Sequence, residues 1–272
     1  MTAMEFDPLI MSFYRERYRE DERLTRSAHG RIEYLRTQEL LRRFLPGPPA
    51  AVLDVGGGTG VHARWLSEDG FAVHLLDPVP EHVEQARQHG GFQADHGDGR
   101  ALPHADASFD ATLLLGPLYH LVSASDRQSA LAEARRVTRA GGLVVAAAIN
   151  RYAPLLELAA TGDIDDETET ELRSLLADGQ HADDPDGFTT AYFHHHEELA
   201  EELREVGLQD VIVLGLEGPT TPALDRAAPD DLEALLPSAL RCARMLESDP
   251  ALIAASPHFL AFGRCPQVRH TR

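Results

Sequence analysis

The stretch Asp54-Val55-Gly56-Gly57-Gly58-Thr59-Gly60 sets a carboxylate among four glycines, directly after the apolar residues Val52 and Leu53. Glycine takes positive φ and lets the main chain lie against a ligand with no Cβ between them. At the carboxyl end of a first strand, such a turn suits an adenosine-like ligand. Asp77, followed by Pro78, stands about twenty residues further on, where a carboxylate can accept hydrogen bonds from both ribose hydroxyls of an adenosine. The dinucleotide fingerprint G-x-G-x-x-G does not match. Counted from Gly56 its sixth position is Val61, and counted from Gly57 its third is Thr59. The turn reads instead as G-x-G-x-G, with Asp54 two residues ahead. Three other groups carry titratable or aromatic chemistry: Tyr119-His120, the run His194-His195-His196, and Tyr14 with Tyr18 one helical turn later.

Positioning these residues requires a particular run of elements. An apolar strand at about 51–55 leads through the glycines into an amphipathic segment from Val61 to Asp69, which reads as strand, turn, helix. Further strands are expected at 72–76, near 92–94, at 109–115 and at 143–149, with helices over 80–89 and 126–139 between them. Strands alternating with helices of this length make a mostly parallel sheet covered on both faces. Residues 5–45 read mostly as helix, closed by Pro46-Gly47-Pro48-Pro49. After Ile149 the rhythm breaks into an acidic stretch, 151–190, resembling a helix pair with loops. It then resumes with a helix near 195–206, a strand at 211–214, more helix over 229–247 and a last strand at 259–262. The expected organisation is therefore a helical lid over 1–48, a core over 49–150, an inserted lid or substrate segment over 151–192, and completion of the sheet over 193–272 with a helical insertion at about 218–255.

Composition narrows the partners. The chain has 272 residues, 43% of them hydrophobic, and a formal charge of −19 with no lysine. Nucleic-acid binding draws on Lys and Arg contacts to phosphate, so a nucleic-acid partner is not expected. Arg15, Arg17, Arg19 and Arg23 alternate with Glu16, Glu20 and Glu22, as a solvated helix face does. No window approaches about 18 apolar residues, so no membrane span is expected. The mixed, charged N-terminus does not read as a signal peptide, and Cys242 and Cys265 lack metal-ligand spacing, which fits free thiols in a cytoplasmic protein. Three consecutive histidines at 194–196 point three ways around a helix start, and no metal site is expected. Oligomeric state is open between monomer and homodimer.

Four short motifs in register carry a resemblance: the glycine turn, Asp77 after strand two, His96-Gly97-Asp98-Gly99-Arg100 after strand three, and Leu115-Gly116-Pro117-Leu118-Tyr119-His120-Leu121 at the end of strand four. Over roughly 50–150 the chain resembles the class I S-adenosylmethionine-dependent methyltransferases. The resemblance implies a Rossmann-like, doubly wound, seven-stranded mostly parallel sheet with helices on both faces and inserted helical lid elements. It also implies S-adenosylmethionine as cofactor. Gly56, Gly58 and Gly60 with Asp54 would approach its methionine part, Asp77 and Pro78 its ribose, and Asp98 its adenine amino group with Gly99 or Arg100 nearby. Leu115 would line the cofactor, and Tyr14 and Tyr18 would close over it, a tyrosine face favouring a cation. Methyl transfer needs a base only where the nucleophile must lose a proton, and His120, Tyr119 and His194 are the candidates. Arg151, just past strand five, either pairs with an acid of its own insertion or contacts substrate. The expected function is methylation of O, N or C on a small molecule. The alternatives are an NAD(P)-dependent oxidoreductase on a similar sheet and a cofactor-binding regulatory protein without catalysis.

Overall fold

The apolar run ahead of the glycines forms β1, Ala51–Val55, buried along nearly its whole length between two parallel neighbours. In the computed structural model, which describes residues 7–17, 24, 27–185 and 187–267, the other strands are β2 (Ala72–Asp77), β3 (Gln93–His96), β4 (Phe109–Leu114), β5 (Thr138–Ile149), β6 (Gln180–His181), β7 (Ala191–Tyr192), β8 (Gln209–Gly215) and β9 (His258–Arg264). Seven of them make one sheet in the order β3-β2-β1-β4-β5-β9-β8, and β6 and β7 form a separate two-stranded ladder. Strands β1 to β5 pair in parallel; β9 runs antiparallel between β5 and β8. The sheet is thus the seven-stranded, mostly parallel one expected.

Period-two alternation sends neighbouring residues to opposite faces. Val52, Leu75, Leu113 and Val145 pack under helices Ala28–Phe44, Val61–Glu68 and Pro80–His89. Leu53, Leu76, Leu114 and Val144 pack under helices Ala124–Val137 and His196–Glu205. Both faces being covered explains why these strands read as continuous apolar runs. Strand β5 starts at Thr138, ahead of the expected Leu143. A register shift between Phe109 and Ala111, together with Gly141 at φ +74°, lets the chain join the ladder straight from the helix.

The N-terminal region divides into a short helix, Pro8–Ser12, a π-helical turn, Phe13–Arg17, and the long helix Ala28–Phe44. Tyr18, Arg19, Glu20, Glu22 and Arg23 lie outside the described residues. The acidic insertion holds helices Ala153–Thr161 and Asp166–Asp178 followed by the β6–β7 ladder. Between β8 and β9 come helices Thr221–Asp225 and Pro229–Leu246; Leu224, Leu236 and Ala239 pack on Ile32 of the long N-terminal helix. Among the described residues no helix is long and apolar enough to cross a membrane.

Candidate active site

The cleft opens where β1 ends. Gly56 N–H donates to the Leu76 carbonyl at 2.7 Å, fastening the start of the turn to β2. Gly58, at φ +56°, donates its N–H to Asp77 Oδ2 at 2.8 Å. A Cβ on Gly57 would stand 2.7 Å from Asp54 Oδ2 and 2.7 Å from Leu75 Cδ1, so only glycine fits there. Gly60 caps helix Val61–Glu68 from the left-handed region and sits under the Phe92 ring, away from the cleft. Gly56, Gly57 and Gly58 line it.

Three carboxylates face the same space from the ends of β1, β2 and β3. Asp77 Oδ1 accepts the Val79 N–H at 2.9 Å, and the His82 ring nitrogen stands 3.4 Å from it. Asp98 is gripped by Arg100, whose guanidinium reaches Asp98 Oδ2 at 2.8 Å and Asp126 at 3.1 Å. Arg100 therefore orients Asp98 from behind and is not part of the cleft wall. Asp54 differs from both. It is 1% exposed, and neither of its carboxylate oxygens has a hydrogen-bond partner among the described residues. Burial, and then the nearby Asp77 charge, push its carboxyl up to about 7.

The rest of the lining comes from the end of β4, beside the glycine turn, and from the N-terminal segment. After Leu115 and Gly116 the short helix Pro117–His120 brings Tyr119 and His120 to the cleft. Tyr14 arrives from the π-helical turn, and its hydroxyl lies 2.6 Å from His120 Nε2. The Tyr14 ring stands edge-on to both His120 and His82, with centroids 5.2 and 5.7 Å away. Phe188 of the insertion packs on His120 and Phe13, closing the rim behind the dyad. Ile10, Met11 and Leu24 complete an apolar cover.

Of the residues singled out by sequence, Asp54, Gly56, Gly58, Asp77, Pro78, Asp98, Gly99, Leu115, Tyr14, Tyr119 and His120 share this cleft. His194 does not. It is fully buried beside helix His196–Glu205, with Nε2 3.2 Å from Glu202, while Arg127 bonds the same Glu202 and stacks on Tyr192 at 3.7 Å. Burial lowers its pKa, so it rests as a neutral packing residue. Arg151 pairs with Glu198 at 2.6 Å, an acid of the following helix and not of its own insertion. Sequence reasoning missed His82 and the apolar cover. His82 falls in the first turn of helix Pro80–His89, a spacing that could have aimed it back at Asp77; Met11 and Ile10 carry no such signal.

Residues 52–142 match the family model described as a methyltransferase domain. A ubiquinone biosynthesis O-methyltransferase of Methylocella silvestris is 34% identical over 130 residues, 46% of this chain and 49% of that protein. A malonyl-[acyl-carrier protein] O-methyltransferase of Serratia marcescens is 33% identical over 179 residues, 61% of each. The chain thus spans about half the length of the curated relatives it matches. A solved S-adenosylmethionine-dependent methyltransferase of Methanosarcina mazei superposes with a TM-score of 0.57 at 16% identity, covering 84% of this chain and 97% of that one. With the glycine turn, the three strand-end carboxylates and the strand order all in agreement, residues 52–142 form a methyltransferase domain on the fold of the solved S-adenosylmethionine-dependent methyltransferases.

Proposed function

We propose that this protein transfers a methyl group from S-adenosylmethionine to a hydroxyl of a small molecule, with His120 and Tyr14 taking up the proton. The observation that carries the reading is the 2.6 Å contact between the Tyr14 hydroxyl and His120 Nε2, in the same cleft as the glycine turn. The cleft fits the cofactor on its own chemistry. Asp54 offers two buried carboxylate oxygens without a partner among the described residues, suited to a cationic ligand. Gly57 leaves a cradle that any side chain would fill. Asp77 keeps acceptor capacity beyond its two backbone N–H bonds, since each carboxylate oxygen has two lone pairs.

When bound, the sulfonium supplies an activated methyl with a neutral leaving group. The protein's part is then largely positioning and exclusion of water. Ile10, Met11, Leu24 and Leu115 keep the cleft apolar, and Tyr14 lines it with its hydroxyl on His120. A hydroxyl acceptor beside the Tyr14 Oη can pass its proton through that oxygen to His120 Nε2 as the methyl is transferred. The name of the Methylocella silvestris relative, tied to ubiquinone biosynthesis, supports a small acceptor.

The test is calorimetric titration with S-adenosylhomocysteine and, separately, NADH, followed by transfer of labelled methyl to a panel of hydroxyl, amine and carbon acceptors. Binding of S-adenosylhomocysteine and methylation of a hydroxyl support the proposal. NADH binding alone, or tight product binding with no acceptor methylated, would replace it with an oxidoreductase or a regulatory protein.

A further inference from the structure

A second group of ionisable side chains lies outside the cleft, where helix Ala28–Phe44 meets the β8–β9 end of the sheet. Glu33 on that helix, Glu217 just after β8 and His258 at the start of β9 each present a ligand atom, all within 4.8 Å of one another. Glu217 is fully buried and Glu33 is 7% exposed. Leaving water costs each carboxylate several kcal/mol unless an opposite charge compensates it.

The surroundings of Glu217 are specific. Its Oε2 accepts the Ser256 hydroxyl at 2.8 Å and the His258 N–H at 3.1 Å, while Oε1 lies 2.6 Å from His258 Nδ1. Among the described residues, its hydrogen-bond and ion-pair partners include no arginine. Arg36, one turn after Glu33, spends its guanidinium on Glu39, Glu247 and the Leu216 carbonyl. His29, four residues before Glu33 and so on the same helix face, pairs with Asp225 at 3.1 Å. One Glu217 oxygen is thus held by hydrogen bonds while the other faces an imidazole, an arrangement common behind carboxylate ligands of metals.

We propose that Glu33, Glu217 and His258 bind a divalent transition-metal ion, zinc by donor type, which fastens the N-terminal helix to the β8–β9 end of the sheet. Two carboxylate oxygens and one imidazole nitrogen favour zinc over magnesium or calcium, which prefer oxygen alone. Zinc sits about 2.0–2.2 Å from such ligands, which stand about 3.4 Å apart around it, so the 2.6 Å contact of His258 Nδ1 with Glu217 Oε1 opens slightly to admit the ion while the Glu33 carboxylate completes the set. Water takes the fourth position. Binding through Nδ1 moves the proton now between Nδ1 and Glu217 Oε1 to Nε2 or to solvent, so uptake strengthens as pH rises. The rival reading is a proton shared within the cluster.

The experiment strips the full chain with EDTA, adds Zn2+, and measures retained metal by mass spectrometry and melting temperature by calorimetry. Co2+ absorption reports the ligand field. One retained Zn2+ per chain and a melting temperature several degrees higher are expected. Glu33→Gln, which keeps the side-chain shape, and His258→Ala should each weaken Zn2+ binding at least ~tenfold while S-adenosylhomocysteine affinity stays within ~threefold. Should His258→Ala fail to fold, Glu33→Gln decides. Absence of stoichiometric uptake, or uptake undiminished in Glu33→Gln and lost on replacing His195 and His196, overturns the proposal.

Discussion

Asp54→Asn tests the electrostatics of the glycine turn most directly. The Asp54 carboxyl is fully buried and titrates near 7 in the folded chain, against an ordinary 3.8. Between those values the folded chain holds one proton more than the unfolded chain, so stability falls as pH rises across this window. About three units at 1.36 kcal/mol each amounts to about 4 kcal/mol, present in full above pH 7. Part of it, about 1.5 kcal/mol, has already accrued at pH 5. Asparagine does not titrate, so relative to wild type the variant should gain about 2.5–3 kcal/mol between pH 5 and pH 8. Urea denaturation of both proteins at the two pH values measures this, and groups common to both cancel in the difference. A saturating cationic ligand should shrink the effect, because it favours the carboxylate. Parallel pH dependence in the two proteins would refute the reasoning and mean that Asp54 titrates as a solvated or hydrogen-bonded acid.

Asp77→Ala should weaken S-adenosylhomocysteine binding by roughly 1–3 kcal/mol in calorimetry, through lost charge-assisted hydrogen bonds; unchanged affinity would remove Asp77 from the ribose site. His120→Ala and Tyr14→Phe should lower turnover by about 10²–10⁴-fold and severalfold respectively while sparing cofactor affinity, and a normal rate with a hydroxyl acceptor would end the proton-transfer reading. His194 is held neutral by burial, its pKa lowered. Stability carried by that neutral form is therefore lost as pH falls below the ordinary His value of 6.5. His194→Gln should flatten the acid side of a urea stability profile between pH 7.5 and 5.5, and an unchanged slope would locate the acid sensitivity elsewhere.

What was legible in the sequence is what the backbone does locally. Leu53 and Val55 ahead of the glycines, or Leu113 and Leu114 ahead of Leu115-Gly116, mark buried strands because a doubly covered sheet needs apolar residues on both faces. Gly58 and Asp77 could be linked through spacing alone, since one βα turn must bring the end of β2 beside the end of β1. His194 was misjudged for a physical reason. Its place at a helix start resembles that of a pocket residue, yet the bridge from Asn150 to His194 draws it inward. Arg100 could not be assigned without knowing that Asp126, on the next helix, would share its guanidinium.

The two halves of the site therefore differ in how they are encoded. The proposed donor side lies within residues 52–142, where the family match lies, and is read from the ends of consecutive strands, Gly58 and Asp77 being 19 residues apart. The proposed acceptor side is assembled from contacts between remote segments: Tyr14 meets His120 across 106 residues, and Phe188 backs His120 from the insertion. Such contacts leave no periodicity in any window, because each partner fits its own helix or loop equally well without the other. The same division has a functional consequence. On the proposed reading, changes in the N-terminal segment or around Phe188 would alter the wall that meets the acceptor without touching the hydrogen bonds of Gly58, Asp77 and Asp98. On that reading, selectivity for the acceptor can drift on this scaffold without loss of the donor site, and the Methylocella silvestris and Serratia marcescens relatives share methyl transfer while differing in what receives the methyl.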